Sequence, residues 1–229
     1  MNIIIVTLLT FGLYRLIKGL NKKIPFPLFH PLLLTPIVII GIIFLLKIPA
    51  NDYIGGATFL THMLGPATIA FAIPIYKNLT LLKKHIGMIM VSITAGSLMA
   101  VFSSFGMSAL LHLDKSLLVS VLPRSITTPI AIEVSKEIGG LPTLTTVFVI
   151  ITGIVGGMMG PTVIKRLAIK SPIAKGLALG MSAHGVGTNK AMEYGEEATT
   201  FSTLAMILAA SITMVWGKFL IPSLVGFMY

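Results

Sequence analysis

The chain has 229 residues, 55% of them hydrophobic and 10% charged, with a formal net charge of +10 and a mean hydropathy of +0.97. A soluble domain typically carries about 25% charged residues, and a fold of this size must still present polar atoms to water. A soluble enzyme, a disordered regulator and a membrane protein with a large water-facing domain are therefore excluded, and the lack of cysteine removes disulfides, thiolate metal sites and cysteine nucleophiles.

In chain order, apolar segments fall at about 2–17, 32–48, 54–76, 86–111, 142–164 and 200–227. A spanning helix needs roughly 20 apolar residues, so each of these is an expected membrane span. The first has no cation before its apolar run, while Arg15, Lys18, Lys22 and Lys23 follow it. That is the reverse of a secretory signal, so the segment is expected to remain as an anchor. His62, ahead of Pro66 in the third segment, marks a kinked span and a weaker candidate for lining a path.

Two further stretches, about 116–138 and 174–196, are partly apolar and interrupted. The first, SLLVSVLPRSITTPIAIEVSKEIGG, holds Pro123, Arg124 and Pro129 near its middle. The second, AKGLALGMSAHGVGTNKAMEYGEE, holds Gly180, His184, Gly185 and Gly187. Cytoplasmic loops collect Lys and Arg, and this decides how both stretches are threaded. If each dips in and returns to its own side, eleven cations at 15–23, 77–84 and 165–175 share the inner face. Lys47, Lys115 and Lys136 stay outside, with Lys190 and Lys218 ambiguous. If both cross, the counts become nearly equal. The bias predicts six spans plus two re-entrant segments that enter from opposite sides.

An internal repeat agrees with that plan. At a spacing of 60 residues, TPIAIEVSKEIGGLPTL (128–144) overlies TNKAMEYGEEATTFSTL (188–204) with six identities in 17 positions. Each copy is followed by an apolar span, giving repeat units of about 116–164 and 174–227 within one transmembrane domain covering 1–229. Inverted units with broken helices meeting at mid-depth are the plan of many secondary transporters.

Arg124 is the most costly residue to place. An arginine at mid-membrane costs at least ~2.5–3.5 kcal/mol and normally faces a partner or a watery cavity. The plainer reading is an ion pair with Glu133 or Glu137, or a side chain snorkelling to the surface. The functional reading is a planar cationic fork that accepts a carboxylate through two parallel hydrogen bonds. The neighbours favour function. Pro123 and Pro129 leave backbone groups unsatisfied, which survive at membrane depth where they line a cavity or protein. Ser125, Thr127 and Thr128 add hydroxyls, and a half-helix starting near Pro129 turns its positive dipole end toward an anion.

The second stretch supplies the facing wall. Gly185 and Gly187 allow close backbone approach, and Ser182, Thr188 and Asn189 offer small polar contacts. His184 is either a hydrogen-bonded structural histidine or a substrate ligand or proton relay. Other patterns carry less. GVGTNK lacks P-loop spacing, and no HExxH or GxSxG is present. Asn78-Leu79-Thr80 falls on the inner side of the expected topology, where its glycosylation pattern has no use. The Gly153/Gly157, Gly156/Gly160 and Gly176/Gly180 pairs suit helix packing. Glu193, Glu196 and Glu197 read as a solvated rim, so no metal, cofactor or catalytic residue is expected.

Over LPRSITTPIAIEVSKEIGG (122–140) and AHGVGTNKAMEYGEEATTFSTLAM (183–206) the sequence resembles the LrgB/CidB family of bacterial membrane proteins, which includes antiholin-like and YohK-type inner membrane proteins. The resemblance covers nearly the whole chain and is densest over 120–215. It implies a multi-pass protein of the bacterial cytoplasmic membrane and a small partner subunit of the LrgA/CidA type. It also implies one of two activities. Some members are described as holin-like or antiholin-like modulators of murein hydrolase activity and lysis. A plastid relative exchanges glycolate and glycerate, and some bacterial relatives handle pyruvate. The expectation drawn is an all-α carrier for small monocarboxylates. Arg124 takes the carboxylate, while Ser125, Thr127, Thr128, Ser182, His184, Gly185, Gly187, Thr188 and Asn189 line the site. The alternative is a holin-like regulator of lysis. Expected partners are the carboxylate, the lipid bilayer, the small subunit and a second copy of the chain, with no nucleic acid, since the cations form no basic domain.

Overall fold

The computed structural model describes residues 2–24, 29–70 and 72–228, and among these every regular element is helical. The chain forms two compact units, Met1–Ala70 and Phe71–Tyr229. The first holds α1 (Ile3–Lys23), α2 (Pro31–Leu45), α3 (Ala50–Gly56), α4 (Thr58–His62) and α5 (Leu64–Ala70). The second holds α6 (Ala72–Lys77), α7 (Leu79–Leu110), α8 (Lys115–Val121), α9 (Thr128–Glu137), α10 (Pro142–Arg166), α11 (Pro172–Ala191) and α12 (Glu196–Met228).

Among the described residues, α1, α7, α10 and α12 are each long and apolar enough to cross a membrane. Their apolar surface is mostly not spent on the protein core: α1 buries 11% of its most apolar window, and even the central α12 buries 44%. Large side chains such as Leu8, Phe11, Val91, Ile151 and Phe219 stay exposed, which in water would be unfavourable and in lipid is not. The second and third expected spans differ in form. α2 has 15 residues around the internal Pro36, and the segment expected at 54–76 is divided among α3 to α6. Gly55, Gly56, Gly65, Pro66 and Pro74 punctuate that stretch, and both residue types weaken a helix interior. Phe71, within the same expected span, lies outside the described residues. His62 is the exposed last residue of α4.

In the second unit α10 is the axis on which the two interrupted stretches are built. At 25 residues it is about 37 Å long. The first stretch breaks at 122–127 between α8 and α9, and both limbs meet near the start of α10. There Leu141 donates its N–H to Ser120 Oγ at 2.8 Å, and Thr145 Oγ1 is hydrogen-bonded to the Ser120 carbonyl (2.9 Å) and the Ser135 hydroxyl (2.7 Å). All three side chains are fully buried, so this knot satisfies polar groups that would otherwise be orphaned in an apolar interior.

The second stretch folds differently. α11 is two helical limbs joined at a kink: His184 sits at φ 40, ψ −122, where the chain reverses. The reversal is sharp enough that a methyl on Gly187 would strike the carbonyl of Leu179, eight positions earlier. In a straight helix those residues would be about 12 Å apart. The two limbs rejoin near the end of α10, where Ile164, Leu179 and Ala191 cluster and Lys175 Nζ lies 5.1 Å from the Tyr194 ring centre. The first limb is clamped to α12, since a Cβ on Gly176 or Gly180 would strike the Ala198 or Ser202 carbonyl.

The interrupted stretches therefore approach α10 from opposite ends, as the sequence repeat and the charge bias predict. Two experiments check this arrangement. In the cysteine-free chain, single cysteines at Lys136 and Lys170 are expected to label with an impermeant reagent from opposite faces of a membrane vesicle; labelling of both from one face would contradict the inverted plan. Gly187→Ala is expected to lower stability by about 1–3 kcal/mol through overpacking at the hairpin. Gly185→Ala, with nothing within 4 Å of its would-be Cβ, is expected to leave the thermal midpoint in detergent unchanged.

Candidate functional site

Both tips end on one turn in the middle of α10. Arg124, half-buried in the break between α8 and α9, donates from Nε to Ser104 Oγ at 2.9 Å and from Nη1 to Thr152 Oγ1 at 3.4 Å. His184, 7% exposed, places Nε2 3.0 Å from the carbonyl of Val149. Its ring lies against Gly153, where an added Cβ would come 2.6 Å from Cε1. The two tips thus rest on residues 149–153, a little under halfway along the helix. Arg124 and His184 are also 60 positions apart, the spacing of the sequence repeat. The equivalence extends to the limbs. Ser120 packs on the start of α10, with its Cα 3.3 Å from a would-be Cβ on Gly140, and Gly180 packs on Ser202 of α12.

The partners of Arg124 define the electrostatics. Among the described residues they are hydroxyls, not carboxylates. Of the two carboxylates the plainer reading offers it, Glu133 pairs with Lys136 at 2.8 Å and Glu137 is exposed at the end of α9; Glu193 pairs with Lys190 at 2.7 Å. Ser104 uses its own hydrogen on the Ala100 carbonyl, 2.7 Å away, which leaves a lone pair for the arginine. A guanidinium has five N–H donors, so two hydroxyl contacts leave three without an acceptor among the described residues. A charge at this depth is costly, and an anion seated against the remaining donors would offset that cost. The N-terminus of α9 opens beside it, with Thr127 as its cap residue making no side-chain capping bond and Pro129 in the first turn.

The remaining expected site residues separate into three groups. Ser125, Thr127 and Thr128 lie with Arg124 on the first tip, Ser125 buried and the two threonines half-buried. On the second tip, Thr188 is tied down, its Oγ1 3.1 Å from the His184 carbonyl and 3.0 Å from Ser202 Oγ. Gly187 serves the close crossing of the two limbs. Ser182, Gly185 and Asn189 face outward, and Ser182 spends its hydroxyl on the Ala178 carbonyl at 2.7 Å. Sequence reasoning did not find Ser104 and Thr152. Both sit inside long apolar runs, where a hydroxyl usually bonds back to its own helix. The available signal was weak: each is a hydroxyl inside an apolar span that a buried arginine had to reach. Among the described residues, no group of three or more His, Asp or Glu side chains is placed to hold a metal.

Comparison with known proteins places this architecture. The model of the LrgB-like family matches residues 10–223. The chain is 44% identical over 213 residues to "Uncharacterized protein YwbG" of Bacillus subtilis, covering 93% of this chain and 95% of the relative. It is 35% identical over 226 residues to "Holin-like protein CidB" of Staphylococcus aureus, covering 99% of this chain and 97% of that one. No solved structure matches. With nearly its whole length matched by the family model and by relatives of the same size, this bacterial membrane protein belongs to the LrgB-like family.

Proposed function

We propose that the chain is a holin-like multi-pass protein of the bacterial cytoplasmic membrane, one that acts by changing what passes the bilayer. The end-to-end 35% identity to a protein named holin-like carries this reading, and it favours regulation of lysis over the carrier expected from the sequence. A small subunit of the LrgA/CidA type and further copies of the chain are the partners it calls for.

A second reading rests on one observation, Arg124 held at the middle of α10 by two hydroxyls with three donors to spare. That arrangement suits a carrier of small monocarboxylates of the glycolate, glycerate or pyruvate type. A carboxylate would replace the missing countercharge, and Ser125, Thr127, Thr128 and the N-terminus of α9 would offer further donors. The two readings differ in selectivity.

Reconstitution into liposomes separates them. A holin-like protein is expected to release trapped calcein and sucrose together, without saturation and with no response to Arg124→Ala. A carrier is expected to retain both solutes while taking up labelled glycolate saturably, in competition with pyruvate. Removing one charged hydrogen-bonding partner costs about 1.5–3 kcal/mol, so Arg124→Ala would then weaken glycolate competition by roughly 10- to 100-fold. Glycolate uptake at the native rate in that variant would remove Arg124 from the site.

A further inference from the structure

A second concavity lies at the far end of α10. The helix stops in a tight reversal, with Ala168 N–H donating to the Lys165 carbonyl at 3.2 Å and Ile169 N–H to the Ile164 carbonyl at 3.0 Å. This is the Schellman pattern of helix ends, with Ala168 at φ 50 in the left-handed position usually given to glycine. The reversal carries Ile169 and Lys170 back beside Ile164, and α11 begins two residues later. Between these pieces lies a cavity of about 600 Å³, lined by Lys165, Lys170, Lys175, Tyr194, Ile164 and Ile169 among others.

Its chemistry is two-sided. Three lysines line it, from the end of α10, the reversal after it and the first turn of α11, and among the described residues no carboxylate does. None of the three lysines belongs to either ion pair found among the described residues. Lys175 is held over the Tyr194 ring, a contact that fixes the side chain without neutralising it. The floor is apolar, with Ile164 buried. Pro161, Ala168 and Ile169 extend that apolar lining beside the lysines. Being at the last turn of an apolar helix about 37 Å long, the cavity stands at the level where head groups meet hydrocarbon.

We propose that this cavity binds the phosphate head group of an anionic phospholipid, whose apolar portion meets the lining made by Pro161, Ile164, Ala168 and Ile169. The three lysines neutralise the phosphate, as basic pockets at a membrane face do for anionic lipids. A free phosphate would satisfy the lysines but leave the apolar lining unused. Because Lys165 and Lys170 flank the end of α10 while Lys175 and Tyr194 belong to the outgoing and returning limbs of the second hairpin, one head group would tie the base of that hairpin to α10.

Native mass spectrometry of the full-length protein from micelles holding equal amounts of dioleoylphosphatidylglycerol and dioleoylphosphatidylcholine tests the assignment. The protein is expected to retain phosphatidylglycerol in preference. Each lysine near an anionic surface is worth roughly a factor of five. Changing Lys165→Gln, Lys170→Gln and Lys175→Gln together should therefore reduce the preference at least about tenfold. Lys18→Gln, Lys22→Gln and Lys23→Gln together remove the same charge elsewhere and should leave it unchanged. If the first triple variant does not fold, Lys170→Gln and Lys175→Gln singly should each give a partial loss, and the corresponding Lys→Arg triple should keep the preference. Equal loss in the N-terminal triple, no loss in the cavity variants, or displacement of the lipid by an equal concentration of inorganic phosphate would each overturn the proposal.

Discussion

Backbone that leaves the helix at membrane depth has no water to satisfy it, so protein must enclose it. In this chain α10 does most of the enclosing, and the rest of the second unit is arranged around that duty. Its first turns bond both limbs of one broken hairpin through Ser120, Ser135 and Thr145. Its last turns pack the base of the other through Ile164. Its middle receives both tips. α7 and α12 close the sides: Ser104 of α7 reaches Arg124, and Trp216 of α12 donates to Ser97 of α7 at 2.9 Å.

Glycine makes the enclosure close. Gly153, Gly156, Gly157 and Gly160 present a bare face of α10 to α11, where added methyls would meet His184, Ala183, Val186 and Leu179. Gly176 and Gly180 do the same for α11 against the backbone of α12. Lipid tails give two helices no hydrophobic reason to associate, so close packing and hydrogen bonds must supply it. The small-residue pairs in the sequence are therefore the means by which a bent, partly polar segment is held in an apolar setting.

Much of this plan was legible because membranes impose coarse rules. Hydropathy located α1, α7, α10 and α12, and cation placement indicated that residues 116–138 and 174–196 turn back. The 60-residue repeat pointed to a relation between them. What stayed hidden depended on single contacts. GVGTNK gives no sign that the chain reverses at His184 itself, one residue before the glycine that would reverse more easily. Gly185 and Gly187 look alike in sequence, yet one is open on its outer side and the other lies under a carbonyl. The acceptors for Arg124 come from residues 20 and 28 positions away, on helices whose hydroxyls are indistinguishable from those spent on their own backbone. Neither carboxylate considered for Arg124 is its partner, since Glu133 pairs with Lys136 one turn along its own helix and Glu137 is exposed at the end of α9.

The shared turn at 149–153 has a mechanical consequence. Thr152, which accepts from Arg124, and Val149 and Gly153, which hold His184, lie within five consecutive residues of one rigid rod. A shift of that rod along its axis by a single turn, about 5.4 Å, would unseat both tips together. It would press toward one hairpin while withdrawing from the other, because they enter from opposite ends. α10 therefore joins the two hairpins as a beam joins the arms of a balance, since any displacement along its axis would act on both tips at once.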